Sequence, residues 1–145
     1  MKQEFCSYEQ SIALKELGFD EPCFGFYDES LYFPNNENQY GTFCKQPKDV
    51  PACSAPLKQQ VFRWFREKYN LRGFIGFRPN VKKFDYHIYD MSLSGMEYVK
   101  QRTMEEYNKD PLVGTYEEAE DACINKLIEI IQSLKQPKNY GSRIK

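Results

Sequence analysis

The stretch from Ser54 to Tyr69, SAPLKQQVFRWFREKY, constrains the fold most, because its apolar and polar residues separate on a helical wheel. Pro56 stands where the first turn of such a helix tolerates proline. The polar side holds Gln59, Gln60, Arg63, Arg66 and Glu67, and the apolar side holds Leu57, Val61, Phe62, Trp64, Phe65 and Tyr69. A helix with so much aromatic surface on one side needs a second layer to bury it. We therefore expect Trp64 and Phe65 in a hydrophobic core.

A capping box predicts an earlier helix over residues 8–17. Ser7 is followed three residues later by Gln10, the spacing at which the two side chains cap the first turn. Gly18 then supplies a left-handed cap, and the apolar residue after it is expected to fold back onto Leu14.

A second capping box, Thr115-Tyr116-Glu117-Glu118, predicts a long C-terminal helix that ends before Pro137. Its predicted apolar stripe comprises Tyr116, Ala119, Cys123, Leu127, Ile130, Ile131 and Leu134. Beyond it, residues 137–145 form a basic tail that we expect to be frayed.

Two pairs of short aromatic segments predict β-hairpins. Residues 23–27 and 31–33 flank one turn, and residues 73–78 and 84–90 flank another at 79–83. In the last strand, alternation predicts one side with Phe84, Tyr86 and Ile88 and a solvated side with Asp85, His87 and Tyr89.

The segments between these elements are less regular. Residues 34–56 are polar and contain two prolines, which predicts a long loop. Residues 92–113 show no consistent period and stay ambiguous. The predicted order is α-β-β-α-β-β-α, an α+β fold in which about three helices cover a small antiparallel sheet of hairpins, with residues 1–136 as a single domain.

Composition excludes several classes of protein. The chain has 145 residues, 41% of them hydrophobic, and a formal net charge of −1, values that suit one folded domain and not a disordered chain. No apolar run reaches the length of a membrane span, and the first ten residues lack the apolar core of a secretory signal. We therefore expect a soluble cytoplasmic protein with no membrane partner.

The cysteines do not predict a metal site. Cys6, Cys23, Cys44, Cys53 and Cys123 are far apart and form no Cys-x-x-Cys pair. With a single histidine in the chain, the closely spaced ligand pairs that tetrahedral zinc prefers are missing. The sequence thus predicts free thiols in a reducing compartment, with no metal and no cofactor.

Several motifs together resemble one set of small proteins. The segment Glu16-Leu17-Gly18-Phe19-Asp20-Glu21-Pro22-Cys23, then Ala55-Pro56, Gln60-Val61, Trp64 and Arg66-Glu67-Lys68, a strand pair, and Thr115-Tyr116-Glu117-Glu118-Ala119 occur in that order. Over most of its length the chain is similar to small uncharacterised proteins encoded in prophages and other mobile elements of gut anaerobes, although residues 92–113 are longer than that family leads us to expect. The resemblance implies a genomic setting and assigns no catalytic residue.

Catalytic motifs are scarce. The chain has no glycine-rich phosphate loop, no His-Glu-x-x-His and no Gly-x-Ser-x-Gly. A Cys–His pair is conceivable only if the fold brings a cysteine to His87, because no local signature places one there. The sequence therefore favours a protein that is not an enzyme.

Basic residues cluster in the middle of the chain, where residues 39–91 carry ten Lys or Arg and four Asp or Glu. Seven of them are candidates for one binding surface: Arg63, Arg66, Lys68, Arg72, Arg78, Lys82 and Lys83. If the second helix and the hairpin after it lie side by side, this surface suits nucleic-acid phosphates. Because the domain is not basic overall, we expect instead a small intracellular accessory protein that binds another protein, and keep nucleic-acid binding as the alternative.

Overall fold

The computed structural model describes residues 2–28, 30–32, 53–91 and 114–135. A short 3-10 helix, Lys2–Glu4, comes first. The elements that follow are, in chain order, α1 (Tyr8–Glu16), β1 (Gly25–Asp28), β2 (Ser30–Tyr32), β3 (Cys53–Ala55), α2 (Lys58–Tyr69), β4 (Leu71–Arg78), β5 (Lys83–Asp90) and α3 (Tyr116–Lys135).

Both ends of α1 are formed as the sequence predicts. The Ser7 Oγ accepts the backbone N–H of Gln10 at 3.1 Å, and the Gln10 side chain accepts the backbone N–H of Ser7 at 2.9 Å. At the other end Gly18 has φ +98° and donates to the Lys15 carbonyl, while Phe19 donates to the Leu14 carbonyl. This is a Schellman cap, and it turns Phe19 into the core beside Leu14.

The first sheet has three strands in the order β2-β1-β3. The predicted hairpin is confirmed by antiparallel pairing of β1 with β2, in which Tyr27 lies opposite Leu31. β3 is a correction, because its residues were expected in a loop. It pairs antiparallel with β1 through main-chain hydrogen bonds, which a three-residue segment forms whatever its side chains.

The start of α2 is a second correction. Pro56 was expected inside the first turn, but the helix begins at Lys58 and Leu57 is its extended N-cap. The reason is that this segment continues the strand-like pairing: the Pro56 carbonyl accepts the N–H of Cys6, and Leu57 forms an isolated bridge with Phe5.

The apolar side of α2 lies in the core, and Trp64 and Phe65 are buried as predicted. Two polar residues of α2 are buried as well. Gln60 was expected on the solvent side, yet its Nε2 donates to the Pro22 carbonyl at 2.9 Å, because the segment after α1 covers it. Lys58 is only 3% exposed, and its Nζ lies 3.1 Å from Asp121 of α3.

The β4–β5 hairpin packs on the helices with one side of its strands. A Cβ built on Gly73 would lie 2.8 Å from Cys123 of α3 and 3.1 Å from Phe62 of α2, so this side of β4 faces both helices. Opposite Gly73 on β5, Ile88 is buried in the same core. The hairpin and helices α1 to α3 thus share one hydrophobic cluster.

Helix α3 begins at Tyr116 as predicted, because the Thr115 Oγ1 accepts the backbone N–H of Glu118 at 3.1 Å. Most of its apolar stripe is buried, but Tyr116 and Leu134 at its two ends are exposed. Ile124 and Ile128 are buried in addition, because α3 is covered over a broader arc than one stripe.

The fold class is α+β, as predicted, with β3 added to the expected order of elements. The ambiguous segment 92–113, most of the predicted loop at 34–56 and the basic tail at 137–145 lie outside the described residues. Within the described ranges, no helix is both long and apolar enough to cross a membrane.

Candidate functional site

The side of the β4–β5 hairpin that faces away from the helices carries an unusual set of side chains. Because alternate residues of a strand point to opposite sides and the paired residues of two strands point to the same side, the register defines this set. We call it the outer face: Arg72, Phe74, Gly76 and Arg78 of β4, and Lys83, Asp85, His87 and Tyr89 of β5.

Three rings are stacked on the outer face, with Phe74 in the middle. The Phe74 ring is 5.0 Å from the His87 ring, at an angle of 21°, and 5.4 Å from the Tyr89 ring, at an angle of 5°. Phe74 is 39% exposed. The result is a row of near-parallel rings open to solvent at its centre.

A carboxylate is buried next to this row. Asp85 was expected on a solvated side, but its side chain is only 8% exposed. Its Oδ2 accepts the Arg78 Nε–H at 2.9 Å, and its Oδ1 lies 3.2 Å from the His87 Nε2. The Oδ1 contact lacks the alignment of a hydrogen bond, so among the described residues this buried oxygen has no hydrogen-bond partner.

Gly76 makes this arrangement possible. It lies opposite Asp85 in the register, and a Cβ built on it would come 2.3 Å from the Asp85 Oδ1 and 3.4 Å from the His87 Nε2. No side chain fits there, so the carboxylate folds over the glycine and toward the histidine.

Cations flank the row of rings. Arg72 lies opposite Tyr89 at one end, and Arg78 lies opposite Lys83 at the other. The turn between the strands adds Lys82, which is exposed and has a left-handed backbone with φ 52°. In the part of the chain that the structure describes, no carboxylate lies within ion-pair distance of Arg72, Lys82 or Lys83.

Three of the seven candidate cations lie on α2. Arg63 and Arg66 are exposed, and Arg63 is 3.6 Å from Glu21. Lys68 lies with its Nζ 5.1 Å from the ring centre of Trp64. The other four, Arg72, Arg78, Lys82 and Lys83, belong to the hairpin, and a single surface of all seven stays a prediction.

No described cysteine lies on the outer face. Cys6, Cys23, Cys53 and Cys123 are buried and form no disulfide, and Cys123 lies against the side of β4 that faces the helices. Burial raises the pKa of Cys23 to about 12, and raises the pKa values of Cys6 and Cys53 above their usual range. Buried protonated thiols are poor nucleophiles and poor metal ligands. Cys44 lies outside the described residues.

A separate cavity of about 420 Å³ opens beside the C-terminal end of α1. It is lined by Ser11, Lys15, Gly18, Phe19, Asp20, Glu21 and Ser54. Its charged groups carry both signs and Glu21 already pairs with Arg63, so the cavity favours no one class of ligand. Across the described ranges, no three His, Cys, Asp or Glu side chains are grouped in a way that would hold a metal ion.

Sequence reasoning overlooked Phe74, Asp85, His87 and Tyr89 as a group. The signal was present in the alternation of β5, which puts Asp85, His87 and Tyr89 on one side. What the sequence alone did not provide is the register that brings Phe74 opposite His87, because in a hairpin the register depends on the geometry and length of the turn.

Comparison with known proteins gives no relative. No family model, no curated protein and no solved structure matches the chain.

Proposed function

We propose that the protein binds single-stranded nucleic acid on the outer face of the β4–β5 hairpin. The observation that carries the proposal is the stacked row of His87, Phe74 and Tyr89 rings, which ends in ring faces that no other ring of the described residues covers and is flanked by cations. Proteins that bind single strands combine aromatic rings, on which bases stack, with cations that contact the backbone. On α2 the Trp64 and Phe65 rings are buried away from the exposed Arg63 and Arg66, whereas on the outer face rings and cations share one surface.

A single strand suits this surface better than a duplex. The bases of a duplex are already stacked on each other, so an aromatic ring on a flat sheet does not reach their faces. Phosphate contacts alone would serve either form, which makes Phe74 the residue that separates the two cases.

The proposal is tested by fluorescence anisotropy with a labelled single-stranded oligonucleotide and its duplex, at low and high salt. Base stacking on one aromatic ring is worth about 1–3 kcal/mol, so we expect Phe74→Ala to weaken single-strand binding about 5- to 150-fold. Arg72→Ala is expected to weaken binding and to reduce the slope of log K against log salt by about 0.7, the effect of one phosphate contact.

The matched control is the double variant Arg63→Ala with Arg66→Ala, which removes two exposed cations from α2 and leaves the hairpin intact. It should bind as the unmodified protein does. If this variant loses binding and Phe74→Ala does not, the site lies on α2 and the proposal for the outer face is wrong.

Protein binding is the second candidate, and a different surface favours it. At the turn end of the hairpin, Phe77 is 52% exposed and its ring lies 4.9 Å from that of Phe84, which in turn contacts Tyr116 of α3 at 5.9 Å. Exposed aromatic residues of this kind are typical anchors of protein interfaces.

A second copy of the chain is the first partner to test on this patch of Phe77, Phe84 and Tyr116. Lys82 lies in the turn between Phe77 and Phe84, Glu118 follows Tyr116 by two residues, and neither has an ion-pair partner in the described part of its own chain. Charges of both signs near one aromatic patch suit a twofold interface, in which each can meet its opposite. Sedimentation velocity should show concentration-dependent dimerisation that Phe77→Ser abolishes; a monomer at all concentrations would leave only partners of another kind.

For the biological setting we infer a cytoplasmic accessory protein of a prophage or other mobile element. The free thiols of the described cysteines suit a reducing compartment, and the motif order in the sequence resembles proteins of such elements.

A further inference from the structure

The only histidine of the chain lies on the outer face, next to Asp85. One carboxylate oxygen of Asp85 has no hydrogen-bond partner among the described residues. His87 Nε2 is 3.2 Å from the Asp85 Oδ1, and Arg78 holds the other oxygen of Asp85 at 2.9 Å. A buried polar atom without a hydrogen bond is uncommon and calls for an explanation. In many enzymes a carboxylate beside one nitrogen of a histidine orients the ring of a general base, and such contacts are often poorly aligned until the substrate binds.

The outer face offers this base no serine, threonine or cysteine, and the described cysteines lie on the other side of the hairpin or elsewhere in the core. We therefore consider a nucleophile that comes with the substrate. Among nucleic acids, RNA carries one beside every phosphate, the 2′-hydroxyl, and DNA does not.

The order of residues along the outer face matches the order of groups in a nucleotide. Tyr89 lies at one end of the stacked rings and offers the ring face that points away from Phe74 to a base. His87 is two residues from Tyr89 on the same strand, a separation of about 6.6 Å. Arg78 lies further along, but its Nε reaches back to Asp85 at 2.9 Å, beside His87. A base stacked on Tyr89 thus brings its ribose near His87 and the following phosphate toward Arg78.

We propose, resting on the proposed function, that the outer face cleaves single-stranded RNA by transesterification, with His87 as the general base. The Nδ1 of His87 takes the proton of the 2′-hydroxyl, the 2′-oxygen forms a bond to the adjacent phosphorus, and the bond from phosphorus to the 5′-oxygen breaks. The leaving 5′-oxygen receives the proton back from His87 through water. The products are a 2′,3′-cyclic phosphate and a free 5′-hydroxyl, so the reaction consumes no oxidant and no further reactant.

The neighbouring residues have separate roles in this reaction. Arg78 and Lys83 stabilise the charge that develops on the phosphoryl oxygens. Asp85 is a positioning residue, since it acts through His87, and Gly76 leaves the space that Asp85 needs. Phe74 and Tyr89 select an unpaired base.

The test uses three labelled oligonucleotides of one sequence: RNA, 2′-O-methyl RNA and DNA. We expect cleavage of the RNA alone, with a 2′,3′-cyclic phosphate end identified by mass spectrometry. With the protein in saturating excess over the RNA, so that weaker binding does not enter the rate, His87→Ala and the closer substitute His87→Gln should each lower the cleavage rate at least 100-fold, because general bases contribute about 10²- to 10⁴-fold. These variants, purified in the same way, also control for a contaminating ribonuclease.

Asp85→Asn tests the positioning role by separating kcat from KM. If the carboxylate only orients the His87 ring, kcat for the RNA should fall while KM stays within a few-fold. A merely structural role of Asp85 would disturb the whole outer face and raise KM as well.

The outcomes separate this inference from the function on which it rests. If the protein binds both RNA and DNA but the RNA stays intact, the cleavage proposal is wrong and the binding proposal stands. If it binds neither, both proposals are wrong. Cleavage that His87→Ala and His87→Gln retain shows that His87 is not the base, and this also overturns the inference.

Discussion

Two glycines of β4 point to opposite sides of the hairpin and serve different purposes. Gly73 lets the strand approach α2 and α3 closely, and Gly76 lets a carboxylate fold over the outer face. In both cases a Cβ would collide with atoms of another residue. Neither glycine has a left-handed backbone.

Gly73→Ala should therefore destabilise the fold. Its Cβ would lie 2.8 Å from the Cys123 Sγ and 3.2 Å from Leu127, in a core with no room to yield. Overpacking of this kind costs about 1–3 kcal/mol of unfolding free energy, measurable by urea denaturation. Gly114→Ala is the control, because nothing lies within 4 Å of its Cβ, and it should change stability by less than about 0.5 kcal/mol. Equal stabilities of the two variants would contradict the close packing of β4 on the helices.

The burial of single residues was predicted well where the helical period determines it and poorly where a contact with another segment determines it. Trp64 and Phe65 are buried because the wheel puts them on the apolar side. Gln60 and Asp85 were expected in solvent, and each is buried by one specific partner, Pro22 or Arg78. These partners lie outside the element that contains the buried residue, so the sequence around that residue does not predict the contact.

Among the elements, α1 shows most directly how a short sequence determines its own ends. The Ser7–Gln10 capping box closes one end, and Gln10 also donates through Nε2 to Asn125 of α3 at 3.0 Å. The same side chain thus completes the helix and joins it to a second one.

The two roles are separable by substitution. Ser7→Ala removes one cap bond and should cost about 1 kcal/mol of unfolding free energy. Gln10→Ala removes the cap bond and the contact with α3 and should cost clearly more, since the partner groups are partly buried. Thermal or urea denaturation measures both; a smaller loss for Gln10→Ala than for Ser7→Ala would mean that the contact with α3 adds nothing.

The contact between α2 and α3 contains charges whose ionisation is linked to folding. Glu120 is 6% exposed, and its pKa is raised chiefly by burial, with Glu117 and Asp121 adding to the effect. Lys58 and a hydrogen bond from the Gln59 Nε2 act in the opposite direction without reversing it.

A raised carboxylate pKa means that the folded state binds the proton more tightly than the unfolded state. This stabilising contribution is fully present below the ordinary pKa of about 4.3 and is lost as the pH rises through the higher pKa of the folded state. Glu120→Gln, which stays neutral, should therefore become more stable relative to the unmodified protein as the pH rises from 4 to 8, in paired urea denaturations. The opposite trend would show that Lys58 dominates and lowers the pKa.

Element boundaries were predicted best where a cap or a turn marks them in sequence. The start of α3 and the strands of the second hairpin are as expected, because Thr115 and the residues around Pro79 mark them. The strand β3 was missed because Cys53, Ser54 and Ala55 carry no strand pattern, and only β1, far earlier in the chain, makes them a strand.

At the scale of the whole molecule, the described elements form two layers. Helices cover one side of the β4–β5 hairpin, and the outer face is the other side. The fold class followed from the order of helices and strands, but the proposed binding surface did not, since it depends on the register of the β4–β5 hairpin, which the sequence pattern alone did not supply.

Thiol reactivity reports whether the core is closed around the described cysteines. Cys6, Cys23, Cys53 and Cys123 are buried, and the pKa values of the first three are raised by burial. We expect these four thiols to react with iodoacetamide in the folded protein at least 100-fold more slowly than in urea, as measured by peptide mass spectrometry. Fast labelling of any of them in the absence of urea would indicate local opening around that residue.

The position of Trp64 also determines what an optical measurement reports. It is the only tryptophan of the chain, it is buried, and the Phe19, Phe65 and Tyr69 rings lie within 5.3 Å of its own. Its emission should therefore be blue-shifted in the folded protein and move to longer wavelength only when the core is exposed to water. Since Trp64 is on α2 and the outer face points away from α2, a ligand there does not touch the indole. The protein thus carries a built-in fluorophore that records unfolding separately from occupancy of the hairpin.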